Sequence, residues 1–381
     1  MNFDEMTLRR GTGSYKWDTD PSDDMIPLWV ADMDFRTAPC IVEALQRRVA
    51  EGIFGYVKVP DSYYEALTGW FASRHGWTID RETVIYTSGV VPALSAIIKA
   101  LAKPGDGVIL HTPAYNCFFS SIRNNGCHPV ASPLVRHELE DGFTYRLDFE
   151  GLERLAADPR NTLLLLCNPH NPGGRVWTRE ELERTRDICL RHGVTVVSDE
   201  IHCELTHRGY TYTPYLTVDP GAIACCSPSK AFNTAGLQIA NIVAPDEGQR
   251  KRIDKAININ EVCDVNPFGV TALEAAYRHG ADWLGELKDY LEANYALLRA
   301  TLRESMPMLR TCDSEATYLA WTDIRALGLT ADEVEARAKE KGVWVNAGTL
   351  YGGQGYIRIN YACPRRRLEE GLRRFVAAFD H

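Results

Sequence analysis

Residues Ile223–Gln238 read IACCSPSKAFNTAGLQ. The first four, Ile223–Cys226, are apolar and end at Ser227-Pro228, which makes them a brief buried strand. Ser227, Ser229 and Lys230 follow directly, then Asn233 and Gly236. A lysine just past a buried strand, flanked by two hydroxyls, is placed to form an imine while the serines bind a phosphate. The same texture continues on the amino-terminal side. Val84–Thr87, Gly107–His111, Thr162–Cys167 and Val194–Ser198 are short apolar runs bounded by Gly, Pro or Asn, and each predicts a buried strand. Between the last two, Thr178 and Glu181 form a capping box and Gly193 closes the pattern, which predicts a helix over Arg179–His192. Strand, helix and strand in this rhythm imply right-handed crossovers and an α/β fold with a mainly parallel sheet covered on both faces.

The carboxyl-terminal part has a different texture. Trp283–Ser305 is a long helical pattern, and Thr330 with Glu333 caps a helix over Ala331–Lys341. Ala316–Trp321, Gly342–Asn346 and Tyr356–Asn360 read as short strands, which suggests a smaller α+β unit. The composition excludes several functions. With 42 Lys and Arg against 51 Asp and Glu, the 381-residue chain carries a net charge of −9. Such a surface has no excess positive field for nucleic acid or anionic lipid. No apolar run approaches the ~20 residues of a membrane-spanning helix, and the first residues, MNFDEMTLRRGTGSYKWD, lack a signal-peptide core. The eleven cysteines include no Cys-x-x-Cys pair, which fits reduced, buried thiols in a cytoplasmic protein.

Other chemistry-bearing residues fall where parallel sheets place ligands, beyond the carboxyl ends of strands. Asn168–Gly174, NPHNPGG, follows Thr162–Cys167; Asp199 ends Val194–Ser198; Ser88–Val91, SGVV, follows Val84–Thr87 and opens a helix to about Leu101. Free amides at Gly89, Val90 and Val91 make an anion site at that helix start. Tyr115 follows Gly107–His111. Arg358 lies between Ile357 and Ile359 on a strand, so its side chain points away from theirs, towards a cleft or water. His202, Cys203, Glu204 and His207 do not have the His-Glu-x-x-His spacing, and no metal is expected. Ser227-x-x-Lys230 also matches a penicillin-binding nucleophile motif, but Ser198-Asp199 is followed by Glu200 and no Lys-Thr-Gly exists.

Ser-x-x-Lys with a Gly six residues on, together with NPHNPGG and Asp199, resembles the fold-type I pyridoxal-phosphate enzymes of the class I/II aminotransferase superfamily. Further segments, GSYKWD (Gly13–Asp18), IPLWVADMDF (Ile26–Phe35), GIFGY (Gly52–Tyr56), CNPHNPGGRVW (Cys167–Trp177) and SDEIHCEL (Ser198–Leu205), are similar to its cystathionine β-lyase, or C–S lyase, branch. That resemblance implies a large domain over 51–284 with a mainly parallel seven-stranded sheet between helices. It also implies a small discontinuous α+β domain from 1–50 and 285–381. Lys230 would carry pyridoxal 5'-phosphate, Asp199 would pair with its ring nitrogen, and Tyr115 would stack on its ring. Asn171 and His202 would lie near its phenolic oxygen. Gly89, Val90, Val91, Ser227, Ser229 and Tyr56 would hold the phosphate, with Tyr56 reaching over from the second subunit of a homodimer. Arg358, Ala31 and Asn171 would bind the amino-acid substrate. Gln238 departs from the superfamily, which often has an arginine there to pair with the phosphate.

The resemblance implies β-elimination from cystathionine- or cysteine-type amino acids, giving pyruvate, ammonia and a thiol. An aminotransferase would use the same residues, and a cofactor-binding regulatory protein would have no physical use for Lys230, Asp199, Asn171 and Arg358 together.

Overall fold

Runs of apolar residues that can be buried on both sides become the centre of the protein. The computed structural model describes residues 1–259, 261 and 265–380. Seven strands form the main sheet: β1 Val84–Thr87, β2 Gly107–Thr112, β3 His128–Pro133, β4 Asn161–Cys167, β5 Thr195–Asp199, β6 Ile223–Cys226 and β7 Ala240–Val243. Their spatial order is β1-β7-β6-β5-β4-β2-β3. β7 runs antiparallel to both neighbours, and every other pairing is parallel. Alternation along the strands feeds two cores. Leu164, Leu166, Val196 and Cys226 join one, and Leu163, Leu165, Val197 and Cys225 join the other. Cys225 and Cys226 thus face opposite sides of the sheet, and both are free thiols.

The helix Arg179–His192 that links β4 to β5 has the expected capping box at Thr178 and a left-handed Gly193 at its end. Two strands have no apolar run to announce them. β3, HPVASP, carries Pro129 and Pro133 and lies at the sheet edge, where a missing N–H is tolerated. β7 carries Asn241, whose side chain is buried and accepts a hydrogen bond from the Tyr63 hydroxyl at 2.7 Å.

A second, antiparallel sheet has the order Arg310–Thr311, Leu319–Asp323, Tyr356–Asn360, Asn346–Ala347. The strand expected over Ala316–Trp321 starts at Leu319, because Thr317 sits at φ 77°, in the left-handed region. The strand expected over Gly342–Asn346 is divided between two partners. Val343–Trp344 pairs in parallel with Ile26–Pro27, and Asn346–Ala347 pairs with Tyr356–Asn360. Ala281–Ser305 is one helix, and it packs against Arg365–Ala377. Both ends of the chain therefore lie beside the second sheet. No helix among the described residues is long and apolar enough to cross a membrane.

Candidate active site

The carboxyl ends of β1, β4, β5 and β6 open on one cavity of about 180 Å3. Its wall holds Ala31, Gly89, Val90, Val91, Tyr115, Asn171, Asp199, His202, Ser229 and Lys230, so residues far apart in the chain meet there. Three expected residues lie elsewhere. Ser227 is buried behind the wall; its hydroxyl donates to the Ile239 carbonyl at 2.6 Å and accepts from the Ser229 amide at 3.1 Å. That proton is committed, so Ser227 shapes the turn that presents Ser229 and Lys230. Arg358 is buried beside Asn171, to whose Oδ1 its Nη1 donates at 3.3 Å, while its Nη2 donates to the Trp29 carbonyl at 3.2 Å. Tyr56 is 95% exposed and outside the cavity of this chain.

Charge in the cavity is sparsely compensated. Among the described residues Lys230 is the one cation in its wall, and its Nζ donates to the Ala31 carbonyl at 2.6 Å. Burial, with Arg358 pushing the same way, pulls its ammonium down to about 8. Asp199 is buried with one hydrogen bond, from the Ile201 amide at 3.1 Å, and burial pushes its carboxyl up to about 7. Burial likewise draws His202 down to about 3, and its Nδ1 has no partner. No protein acceptor meets Asn171 Nδ2, nor any of the amides of Gly89, Val90 and Val91, among the described residues. Gln238 also joins the wall, in a left-handed conformation, φ 51°. The wall thus combines a neutral set of N–H donors, a buried carboxylate, and a lysine whose proton affinity burial lowers.

Several supporting residues escaped the sequence reading because their partners lie far along the chain. Asn233, at φ 54°, donates from Nδ2 to the carbonyls of Met33 and Phe35 and accepts from the Met33 amide. Asn360 donates to the carbonyls of Val30 and Asp32, Asn346 to that of Trp29, and the Tyr318 hydroxyl to that of Ala31 at 2.9 Å. Five side chains, counting Arg358, thus fix the segment 29–35 against Lys230. The left-handed Asn after the lysine and the buried Asn pair were visible as letters, but a single sequence carries no record of which carbonyls they meet. The GSYKWD segment is structural. Lys16 is buried 3.3 Å from Asp34, and Trp17 Nε1 donates to Asp34 at 2.9 Å.

Against known proteins, the profile of aminotransferase classes I and II matches residues 23–375. The chain belongs to that family. Within it, cystathionine β-lyase PatB of Bacillus subtilis (strain 168) is 42% identical over 99% of this chain and 100% of its own. Among solved structures, cystalysin from Treponema denticola, which contains a pyridoxal 5'-phosphate cofactor, superposes with a TM-score of 0.95 at 33% identity, covering 99% of this chain and 98% of that one. The PLP-bound C–S lyase from Staphylococcus hominis gives a TM-score of 0.92 at 32% identity, covering 100% and 99%. The family fold is therefore present from end to end.

Proposed function

We propose that the protein is a pyridoxal-phosphate-dependent C–S β-lyase acting on cystathionine- or cysteine-type amino acids. The observation that carries this reading is Asp199, a buried carboxylate that among the described residues has one N–H donor and no cation in contact, and that shares the cavity wall with Lys230. The residues fit the cofactor. Asp199 lacks the proton-bearing partner that a pyridine ring nitrogen supplies, and His202 Nδ1 is an orphaned buried polar atom. The unbonded amides of Gly89, Val90 and Val91, with the Ser229 hydroxyl, suit a phosphate. Asn171 Nδ2 is available to a phenolic oxygen, and Tyr115 stands in the wall as a stacking face. The full-length likeness to a cystathionine β-lyase favours elimination over transamination.

When bound, the cofactor supplies an aldehyde to join the substrate amino group and a ring that accepts the electrons freed at Cα. Arg358, whose Nε has no partner, would grip the α-carboxylate with a planar fork of donors. Lys230, with its proton affinity reduced by burial, takes the proton from Cα as general base. The Cβ–S bond then breaks, the sulfur leaves as a thiolate, and water releases ammonia and pyruvate. The Ala31 carbonyl holds Lys230 Nζ beside that path.

The same reading includes a homodimer in which Tyr56 completes the partner's phosphate cup. It is supported by the exposure of Ile53 at 74% and Tyr56 at 95%. It also includes domains at 51–284 and at 1–50 with 285–381, supported by the pairing of Ile26–Pro27 with Val343–Trp344. A cytoplasmic location suits the ten described cysteines, all free thiols. The test is thiol and pyruvate release from cystathionine, cysteine and S-alkyl cysteines, with and without an added keto acid. Release without keto acid is expected. Turnover that strictly requires a keto acid, with no thiol formed, would replace the lyase by an aminotransferase.

A further inference from the structure

Asp199 and Glu200 are consecutive on and just past β5, so their side chains leave the strand on opposite sides. Asp199 faces the cavity. Glu200 turns into the core, fully buried, and accepts from Ser198 Oγ at 2.9 Å, the Tyr215 amide at 2.8 Å, Asn168 Nδ2 at 3.4 Å and the Tyr212 hydroxyl. Every one of these donors is neutral, and no ion pair reaches either carboxylate among the described residues. The Asn168 backbone N–H also donates to the Asp199 carbonyl at 2.9 Å, so Glu200 braces the two chain segments that carry Asn171 and Asp199. The mechanism gives Glu200 nothing to do, yet a buried carboxyl without a cation is costly to keep.

Resting on the cofactor reading above, we infer that Glu200 is a positioning residue whose charge, acting from behind Asp199, makes the cavity select a ring that bears a proton on its nitrogen. Two adjacent buried carboxylates cannot both ionise cheaply unless a positive partner arrives. Burial pushes both carboxyls up to about 7, but four donors work against it at Glu200 and favour its ionised form, whereas Asp199 has one. Asp199 is therefore the member that keeps a claim on a proton, and it gives up that claim only to a proton-bearing ring. The other groups that face the pair add no competing charge. The thiols of Cys167, Cys225, Cys226 and Cys203 are pushed away from ionisation by burial. The phenols of Tyr115 and Tyr212 are pushed the same way, which leaves Lys230 as the cation that faces Asp199.

The test compares binding of pyridoxal phosphate with binding of its 1-deaza analogue, in which carbon replaces the ring nitrogen, by absorbance titration of the apoprotein. The wild type should prefer the natural ring, and Glu200→Gln should reduce that preference by about tenfold, one unit of proton affinity, while leaving the deaza analogue's affinity within about twofold. In parallel, the 15N signal of the bound ring nitrogen should show deprotonation at lower pH in the variant. Tyr212→Phe, which removes one donor but keeps the carboxyl, should move both readouts the same way by a smaller factor, and serves if Glu200→Gln does not fold. Equal loss for both rings, or an unchanged preference and unchanged 15N titration, would reduce Glu200 to a brace and overturn the inference. A wild type that binds neither ring would overturn the cofactor reading itself, and the inference with it.

Discussion

Two of the regions in which the protein buries charge treat it in opposite ways. In the amino-terminal segment, Asp34 is fully buried. Burial alone would raise its proton affinity, but Lys16, Arg367 and Arg9 together with the Trp17 N–H hold its carboxyl below the usual range. Asp199 at the cavity and Glu200 behind it are buried as deeply, meet no cation in contact among the described residues, and rise to about 7. A charge that the fold has already neutralised serves the fold. One left without a counter-charge marks where something else is meant to bind.

That contrast can be broken by substitution. The largest effect is expected at Lys230, the cavity's own cation. Lys230→Ala should lower thiol release by at least on the order of 10² to 10⁴ and remove the near-visible absorbance of the lysine-bound cofactor. A variant with full activity would end the assignment. Next, Asp34→Ala leaves Lys16 and Arg367 buried without their shared anion and should destabilise by about 3–5 kcal/mol, read by denaturant unfolding. If it unfolds like the wild type, the amino-terminal cluster is not the structural charge it is taken for.

Asp199→Asn should do the reverse in the apoprotein. A carboxyl whose folded pKa lies above its unfolded value binds more protons when folded, so its contribution to stability is present at low pH and is lost as pH rises from about 4 to about 7. The variant lacks that dependence. Relative to wild type it should gain stability as pH climbs through that window, by a few kcal/mol at most, and the gain should be flat above about 7. It should bind the cofactor more weakly at every pH. Unfolding curves at pH 5 and pH 8 check the sign. The smallest effect is expected at Arg9, a quarter exposed and one of several partners of Asp34. Arg9→Ala should cost about 1–2 kcal/mol, and a loss as large as that of Asp34→Ala would show that the cluster does not share its charge.

The cavity was readable in the sequence because its main side chains sit in short contiguous motifs at strand ends. Lys230, Asp199, Asn171 and the Gly89–Val91 amides each follow a buried apolar run, and local pattern is what a single sequence displays. The antiparallel β7 was not readable, since Asn241 interrupts its apolar run and its partner Tyr63 is far away. Nor was the edge strand β3, with its two prolines. GSYKWD and IPLWVADMDF stood out as words, but that Lys16 answers Asp34 is a fact of packing. Ser227 illustrates the limit at atomic scale. Its position was legible, while the carbonyl of Ile239 that occupies its hydroxyl was not.

The clamp on residues 29–35 has a consequence for how the protein is made. Val30 is tied to Asn360 across a separation of 330 residues. As the chain leaves the ribosome, the sheet from β1 to β7 can assemble, and Lys230 and Asn233 can hold the carbonyls of Ala31, Met33 and Phe35, while that of Val30 still waits for Asn360. Closing so long a loop is slow to arrange and comes late. A nascent chain stopped before Arg358 would present Lys230 and Asp199 on a finished sheet, without the arginine proposed above to hold a substrate's carboxylate. Synthesis itself thus postpones the chemistry until the last strand has emerged.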